Sequence, residues 1–412
     1  MKRIVIPALA VLAAVGPARS LAAQDSVFVA SVGGVNLLRL NNDAGFVVRG
    51  TAETGSIPAT AGGVRMMWYP AKWAFRAGQV IDEGGNGADS YWNDSNIGSG
   101  SVAFGKNTRA TGNHSFAANL YATASGNESV ALGNAATASA ERTFAFNGTA
   151  SAAGAVAIGS GAQATGDDAL AIGLSPIAGG LAAITLGPSI ANGNFGVAIG
   201  LQNSASGQFS VAIGKNARTA NRQGAIVIGD AAASFSSDSV YATANNQFVV
   251  RAAGGIRMIS SANANPANVG SRGAVTGVEV AAGGGAWSSI SDRASKENFL
   301  AIDGEDVLRR LRGVPVTSWN YKTQDGSIRH LGPMAQDFHA AFGLGESERL
   351  INTVDIDGIN MVATQALEAR TSAQARRIEA LEASNSALQA QNAELRARLE
   401  RLEALLGAAA QR

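Results

Sequence analysis

From Val102 onward the chain repeats a short phrase, apolar, alanine, apolar, glycine: VAFG at 102, VALG at 130, VAIG at 156, LAIG at 170, VAIG at 197 and 211, IVIG at 226. Degenerate copies at 116 (FAAN), 144 (FAFN) and 184 (ITLG) complete the series, with steps of 14, 14, 14, 12, 14, 14, 13, 14 and 15 residues. Within a phrase the two apolar residues lie two apart, so they share one side of a short strand while the alanine faces the other, and the glycine closes the strand. The second half of each unit, as in KNTRATGNH or SGAQATGDD, is small and polar and holds a second glycine. That composition predicts a tight turn with this glycine at positive φ. Each coil is expected to consist of two short strands and two turns.

One such coil cannot bury its own apolar side, so neighbours must stack along one axis. A coil this short has too small a cross-section for a substantial private core, and its apolar face is expected to pack against other chains. The phrase, the period and the alanine-rich polar turns, over residues 100–232, resemble the head of YadA-like trimeric autotransporter adhesins. The resemblance implies a left-handed parallel β-roll with one core shared by three chains. Members of that family also carry a C-terminal membrane barrel. This chain ends instead in a charged helical pattern, so no integral membrane anchor is expected. Flanking the repeat, FVVRG at 46 with GGVRMMWYP at 62, and FVVRAAGGIRM at 248, read as paired caps over the terminal coils. The aromatics Trp68, Tyr69, Trp73, Phe75, Tyr91 and Trp92 fall in the first cap, where packing outweighs a carbohydrate or partner surface.

A different period governs the C-terminus. From Asn360 onward, Leu367, Leu381, Leu388, Leu395 and Leu402 occupy d positions, and Thr364, Thr371, Ile378, Asn385, Asn392, Leu399 and Leu406 occupy a positions. That is a coiled-coil seam, with the two asparagines setting register at some cost in stability.

Charge and composition narrow the function. A net charge of +1 supplies no polybasic field, so nucleic acid is not an expected partner. The chain has no cysteine and three scattered histidines, His114, His330 and His339, which excludes disulfides and thiolate metal sites and speaks against zinc. No cofactor is expected. Lys2 and Arg3, the apolar run IVIPALAVLAAVGPA and the small residues SLAAQ have the order of a secretory signal peptide with a cleavage site near Ala22 to Gln24. The mature chain is accordingly expected to be exported, to the cell surface or beyond, or to the periplasm.

At residues 291–299 the composition changes abruptly to SDRASKENF. Ser291 stands five residues before Lys296. A serine hydroxyl becomes a nucleophile when a base takes its proton, and a desolvated lysine can be that base. By itself this spacing is weak, and a capping role for Ser291 is the plainer alternative. The segments VLRRLRGVPVTSWNYK, HLGPMAQDFHAAFGLG and VDIDGINMVATQALEA follow in order before the heptads. Together they resemble the intramolecular chaperone domain of phage endosialidases and tail spikes. The resemblance implies that the domain assists assembly of a trimeric β fibre and then cuts itself off once, with Ser291 as nucleophile and Lys296 as general base. It places the cut at Ser291–Asp292, with Ile290–Ser291 the alternative. Ser295 competes as nucleophile but lacks the Ser-Asp signature, and His330 and His339 are better read as packing residues.

Two other patterns are set aside. VDIDG at 354 starts like a calcium loop, but Asn360 and Ala366 stand where that loop needs Gly and Glu, so it reads as the turn before the tail helix. Asp167 and Asp168 lie in a variable turn and read as solvated charge rather than as a glycosidase pair. The expected fold is mainly β: a trimeric parallel β-roll solenoid with β caps, then a small α+β chaperone domain ending in a long coiled-coil helix. Its segments are a signal peptide (1–23), an N-terminal cap (24–99), the repeat head (100–232), a C-terminal cap and connector (233–290), the autoprocessing domain (291–359) and the helix (360–412). The expected function is a secreted homotrimeric, adhesin-like fibre that acts as a single-turnover self-cleaving peptidase; a cell-surface or glycan receptor is left open, since the sequence names none. A phage tail fibre with the same chaperone is the alternative. A glycan-active solenoid enzyme would need convergent acidic or aromatic residues that the repeat lacks.

Overall fold

The computed structural model describes residues 26–32, 35–41, 46–85, 87–232, 236–264 and 274–410. The expected signal peptide and its cleavage site lie outside the described residues. Two units divide between Gly254 and Gly255.

In the first unit, the strands Ser26–Val32, Val35–Asn41 and Phe46–Val48 form a small antiparallel sheet. The remainder is a parallel β-solenoid. Each phrase forms a short strand, such as Val130–Leu132, and each polar half forms a two-residue strand, such as Thr137–Ala138. Strands of each kind hydrogen-bond only to their own kind in the coils above and below, giving two long sheets. Pairing is in register from phrase to phrase: Val130, Ala131 and Leu132 face Phe144, Ala145 and Phe146 in the next coil.

This register puts the phrase alanines into one column. Ala103, Ala117, Ala131, Ala145, Ala157, Ala171, Ala198 and Ala212 are fully buried, with Thr185 and Val227 completing the series. Alanines of the short strands, among them Ala110, Ala124, Ala138 and Ala150, form a second buried column across the interior. Methyl groups from two sides fill most of the coil. The larger apolar residues point the other way. Phe104, Phe146 and Ile226 are exposed, and the flanking pairs Val130 and Leu132, Val156 and Ile158, Val197 and Ile199, and Val211 and Ile213 are only half-buried. A single chain therefore carries a continuous apolar sheet face that it does not cover.

The turns depart from the expectation in one respect. Positive φ is found not at the second glycine of the unit but two residues later, at His114 (φ 56°), Glu128 (φ 58°) and Asp168 (φ 54°) after Gly112, Gly126 and Gly166. Each of these sits just before the next phrase. The glycine is required for space instead: a Cβ on Gly126 would lie 1.8 Å from the carbonyl oxygen of Ala140 in the next coil, and one on Gly112 would lie 1.9 Å from that of Gly126. The following serine then ties the turn together, Ser115 Oγ donating to the Gly112 carbonyl at 2.6 Å and Ser129 Oγ to that of Gly126 at 2.6 Å. Between coils, the Asn113 and Asn127 side-chain oxygens accept from the backbone N–H groups of Ser99 and Asn113 at 3.1 and 3.0 Å.

At its N-terminal end the solenoid is closed by a hairpin, Gly63–Tyr69 with Ala74–Val80, whose second strand pairs in parallel with Val102–Lys106. Met67, Tyr69, Ala74, Val80, Trp92 and Ile97 make a separate small core beneath it. The C-terminal counterpart of the hairpin sequence is divided between units. Phe248–Arg251 is the last strand of the long sheet, whereas Ile256–Ile259 belongs to the second unit.

The second unit opens with an antiparallel sheet of Ile256–Ile259, Gly277–Val280 and Ser288–Ser289. It continues through α1 (Gly304–Leu311), the hairpin Thr317–Trp319 with His330–Gly332, α2 (Ala335–Phe342) and α3 (Thr353–Ala410). Val307, Phe338, Ile359 and Ala363 from the three helices form its core. Gly304 permits the approach of α1 to α3, since a Cβ there would meet the Ala366 Cβ at 2.8 Å. Beside it the Arg370 Nε donates to both Glu305 carboxylate oxygens at 2.9 Å.

The helix α3 begins seven residues before Asn360, so VDIDG is helical and not a turn. The start signal is Asn352, whose side-chain oxygen accepts from the Asp355 N–H at 2.8 Å, an N-cap that outweighs the helix-weakening Gly358. At about 1.5 Å per residue, the 58 residues of α3 extend about 87 Å. Leu367, Leu381, Leu388, Leu395 and Leu402 are each more than half exposed along it.

Candidate functional site

The segment that follows the three-stranded sheet carries Ser291 and Lys296, and two anchors fix it. Upstream, the Ile290 N–H donates to the Gly277 carbonyl at 3.0 Å, extending the sheet by one residue. Downstream, Asp292 caps a single 3-10 turn, Arg293–Ser295: its Oδ1 accepts from the Ala294 N–H at 2.8 Å. The turn closes through Ser295 N–H to Asp292 O and Lys296 N–H to Arg293 O, both at 3.1 Å.

Reversal of the chain over one turn brings Lys296 back onto Ser291. The Lys296 Nζ donates to Ser291 Oγ at 2.5 Å. Both residues are exposed in the single chain. Ser295 is occupied elsewhere, its hydroxyl accepting the N–H of the buried Val275 at 3.3 Å. The Arg293 guanidinium lies 4.7 Å from the centre of the Phe299 ring, and Phe299, Leu300 and Ile302 present apolar surface just beyond the lysine.

Chemically, a serine oxygen in direct contact with an amine can lose its proton to it once the amine is neutral, and removal of water favours the neutral amine. The histidines serve other ends. His330 Nε2 lies 2.8 Å from Gln324 Oε1, and its ring packs against Trp319 and Tyr321 with centroids 4.9 and 5.5 Å away. His339 Nδ1 lies 2.9 Å from the Leu344 carbonyl oxygen, which only accepts, so that nitrogen carries the proton and the pair ties down the end of α2. Among the described residues neither histidine hydrogen-bonds to Ser291 or Lys296.

In the head, the remaining candidates have structural roles. Asp167 Oδ1 accepts the Ala153 N–H at 3.2 Å, and Asp168 adopts the positive-φ turn position (φ 54°). The aromatic cluster divides. Trp92 is fully buried with its indole N–H on the Thr108 carbonyl at 2.9 Å, and the Tyr69 hydroxyl donates to Asp94 at 2.8 Å. Trp68 and Phe75, cross-strand partners, instead begin the outer apolar face, which continues through Phe104 and Phe116 with ring centroids 5.5 and 6.0 Å apart. Arg76 carried no signal in the sequence. It is fully buried and donates to the Ser101 and Ala110 carbonyls and to Ser101 Oγ at 2.8 to 3.0 Å, and burial lowers its pKa to about 10.

Among the described residues no group of three or more His, Cys, Asp or Glu side chains is placed to hold a metal, and no helix is long and apolar enough to cross a membrane. No curated protein matches the chain. Residues 97–118, 124–146, 150–175 and 191–217 match the YadA head domain repeat, and residues 291–343 match the chaperone of endosialidase. In chain order, then, the protein carries YadA head repeats on a β-solenoid followed by an endosialidase-type chaperone segment that opens at Ser291.

Proposed function

We propose that this is an exported, homotrimeric, adhesin-like fibre whose C-terminal chaperone assists assembly and then releases itself by one Ser-Lys cleavage. The observation that carries the reading is the direct contact of Lys296 Nζ with Ser291 Oγ at the first residue of the chaperone match. Two further features support assembly: the uncovered apolar face of the solenoid and the exposed heptad leucines of α3. Three helices zipped by local contacts hold three chains together before the slower non-local β pairing begins.

The exposure of the dyad sets the order of events. In the single chain Lys296 Nζ donates to the serine. Packing of further copies over Phe299, Leu300 and Ile302 desolvates the lysine, which then accepts the Ser291 proton. Cleavage thus follows assembly. The reaction occurs once per chain, and no external substrate is turned over.

Intact-mass analysis of the purified assembly tests this. Wild type should give two fragments divided at Ser291, whereas Ser291→Ala and Lys296→Ala should remain whole yet trimeric by light scattering. Persistence of the full-length wild-type chain in the assembly would rule the mechanism out. N-terminal sequencing after expression in a bacterial host separates an exported fibre from a phage tail fibre: processing near Ala22 to Gln24 supports export, and retained Met1 on a cytoplasmic product supports the virion part.

A further inference from the structure

Two coils of the solenoid are short, and a cavity lies at each. We propose that the larger, on the flank of the head around Asn147, is a binding site for a neutral sugar residue. The proposal rests on the adhesin-like reading of the head and adds a ligand class to it; the self-cleavage plays no part.

The cause of the cavity is a missing piece of turn. Between the phrase strand and the two-residue strand an ordinary coil has a turn of four residues, as at 133–136 and 159–162. The coil between these two has only Asn147 and Gly148 at that place. Its strands nevertheless stay in register with both neighbours. The shortening therefore falls on the turn alone, which recesses between two full turns about 9.6 Å apart, twice the strand spacing. The resulting notch has a volume of about 350 Å³. The turn 187–189 is one residue short, and a second notch, of about 320 Å³, lies beside it. Where a turn shortens, the surface becomes concave.

The lining selects the ligand. Around Asn147 it consists of Asn134, Asn147, Thr149, Ser160 and Gln163 with alanine and glycine, and it holds no charged side chain. Asn147 Oδ1 accepts the Asn134 N–H at 2.8 Å, which fixes the Asn147 amide against the preceding coil and leaves its Nδ2 free to donate. Among the described residues the Asn134 and Gln163 amides and the Thr149 and Ser160 hydroxyls have no hydrogen-bond partner. An amide side chain offers donors and an acceptor side by side, and a hydroxyl offers both in one group. That set matches the adjacent hydroxyls of a sugar, which donate and accept in turn. It supplies no cation for a carboxylate, sulfate or phosphate, and no apolar wall for a lipid chain. At about 30 Å³ for each liquid water, the notch has room for roughly a dozen waters, the bulk of one sugar ring. The second notch differs, since Ile177, Pro188, Ile190 and Arg218 enter its lining. A shallow polar notch binds weakly alone, with a dissociation constant on the order of millimolar, and repetition over several chains raises the avidity.

Saturation-transfer NMR on the full chain tests the site. The neutral probes are the methyl glycosides of glucose, galactose, mannose and N-acetylglucosamine, and the charged ones are glucuronic and sialic acids. At least one neutral sugar should give a signal, and the acids none. The signal should fall about fivefold or more in the double variant Asn134→Ala, Gln163→Ala, which trims two exposed side chains and leaves the ladder untouched. It should vanish when Asn147-Gly148 is replaced by the four-residue turn Gly-Asn-Ala-Ala of 133–136, which fills the notch. Silence of every neutral sugar on the wild type, or an unchanged signal in the chain with the filled turn, overturns the proposal. A stronger response to the acids overturns it as well. Assembly and self-cleavage are read separately, by light scattering and intact mass of the same samples, so failure at the notch is distinct from failure of the fibre.

Discussion

Arg76 stands in register with Ala103, so a guanidinium occupies the position at the start of the inner column that later coils give almost entirely to methyl groups. It adds a donor to the Ser101 and Ala110 carbonyls, which also accept the Phe75 and Gly98 N–H groups at 3.0 and 3.1 Å. Replacement by alanine leaves a cavity and removes the guanidinium's hydrogen bonds to Ser101 and Ala110, and Arg76→Ala should lower the stability of the head by about 3 kcal/mol. Arg76→Lys should recover only part of this, because an ammonium lacks the planar fork. Calorimetry of the full chain reads both, and an unchanged head transition in Arg76→Ala would show that the end of the column needs no closure.

Gly126→Ala should destabilise the head by about 3 kcal/mol, since the added Cβ meets the backbone oxygen of Ala140 and neither turn can yield without disturbing the ladder. Gly285→Ala, where a Cβ meets no atom within 4 Å, is the control and should leave the denaturation midpoint unchanged.

Ile213 lies on the outer face and is only half-buried in one chain. If three heads share that face, Ile213→Asp or Val211→Asp places a carboxylate in an apolar interface at a cost of several kcal/mol per chain. Sedimentation should then show dissociation at micromolar concentration, while the far-ultraviolet spectrum of the coil stays intact. A variant that remains trimeric would place the interface elsewhere.

The Asp292 side chain caps the turn that brings Lys296 onto Ser291, and on the self-cleavage reading it acts through that turn. Loss of its cap should cost about 1 kcal/mol of local order, so Asp292→Ala slows self-cleavage about fivefold. Asp292→Asn keeps an oxygen for the Ala294 N–H and should cleave at close to the wild-type rate. Equal slowing by both variants would mean that the charge, and not the cap, is what matters.

The solenoid was legible because period and phrase are both local. Alternation within VAIG separates the two faces of a strand, and the regular step demands stacking. The second glycine was misassigned because proximity between coils is invisible in one copy of the repeat. Only the stack reveals that Gly126 faces Ala140 and that Glu128 bears the positive φ. Arg76 was unreadable for a related reason: it stands in a non-repeating strand, and only register places it at the head of the column. In the second unit, the meeting of Ser291 with Lys296 follows from a turn whose capping signal, Asp292, was already present in the sequence. Asn352 gave an equally local signal for the start of α3, but VDIDG drew attention to a turn.

Because nearly every coil is filled by small side chains and joined to its neighbours by the same in-register ladder, coils are interchangeable units of length. Adding or removing one whole coil changes the length of the head by about 4.8 Å and leaves both ends with the partners they had. The length of the solenoid can thus be set by counting coils, with no change to the hairpin that closes its N-terminal end. The step of 12 residues between Phe144 and Val156 already shows that even the contour of a coil can shorten while its place in the count is kept.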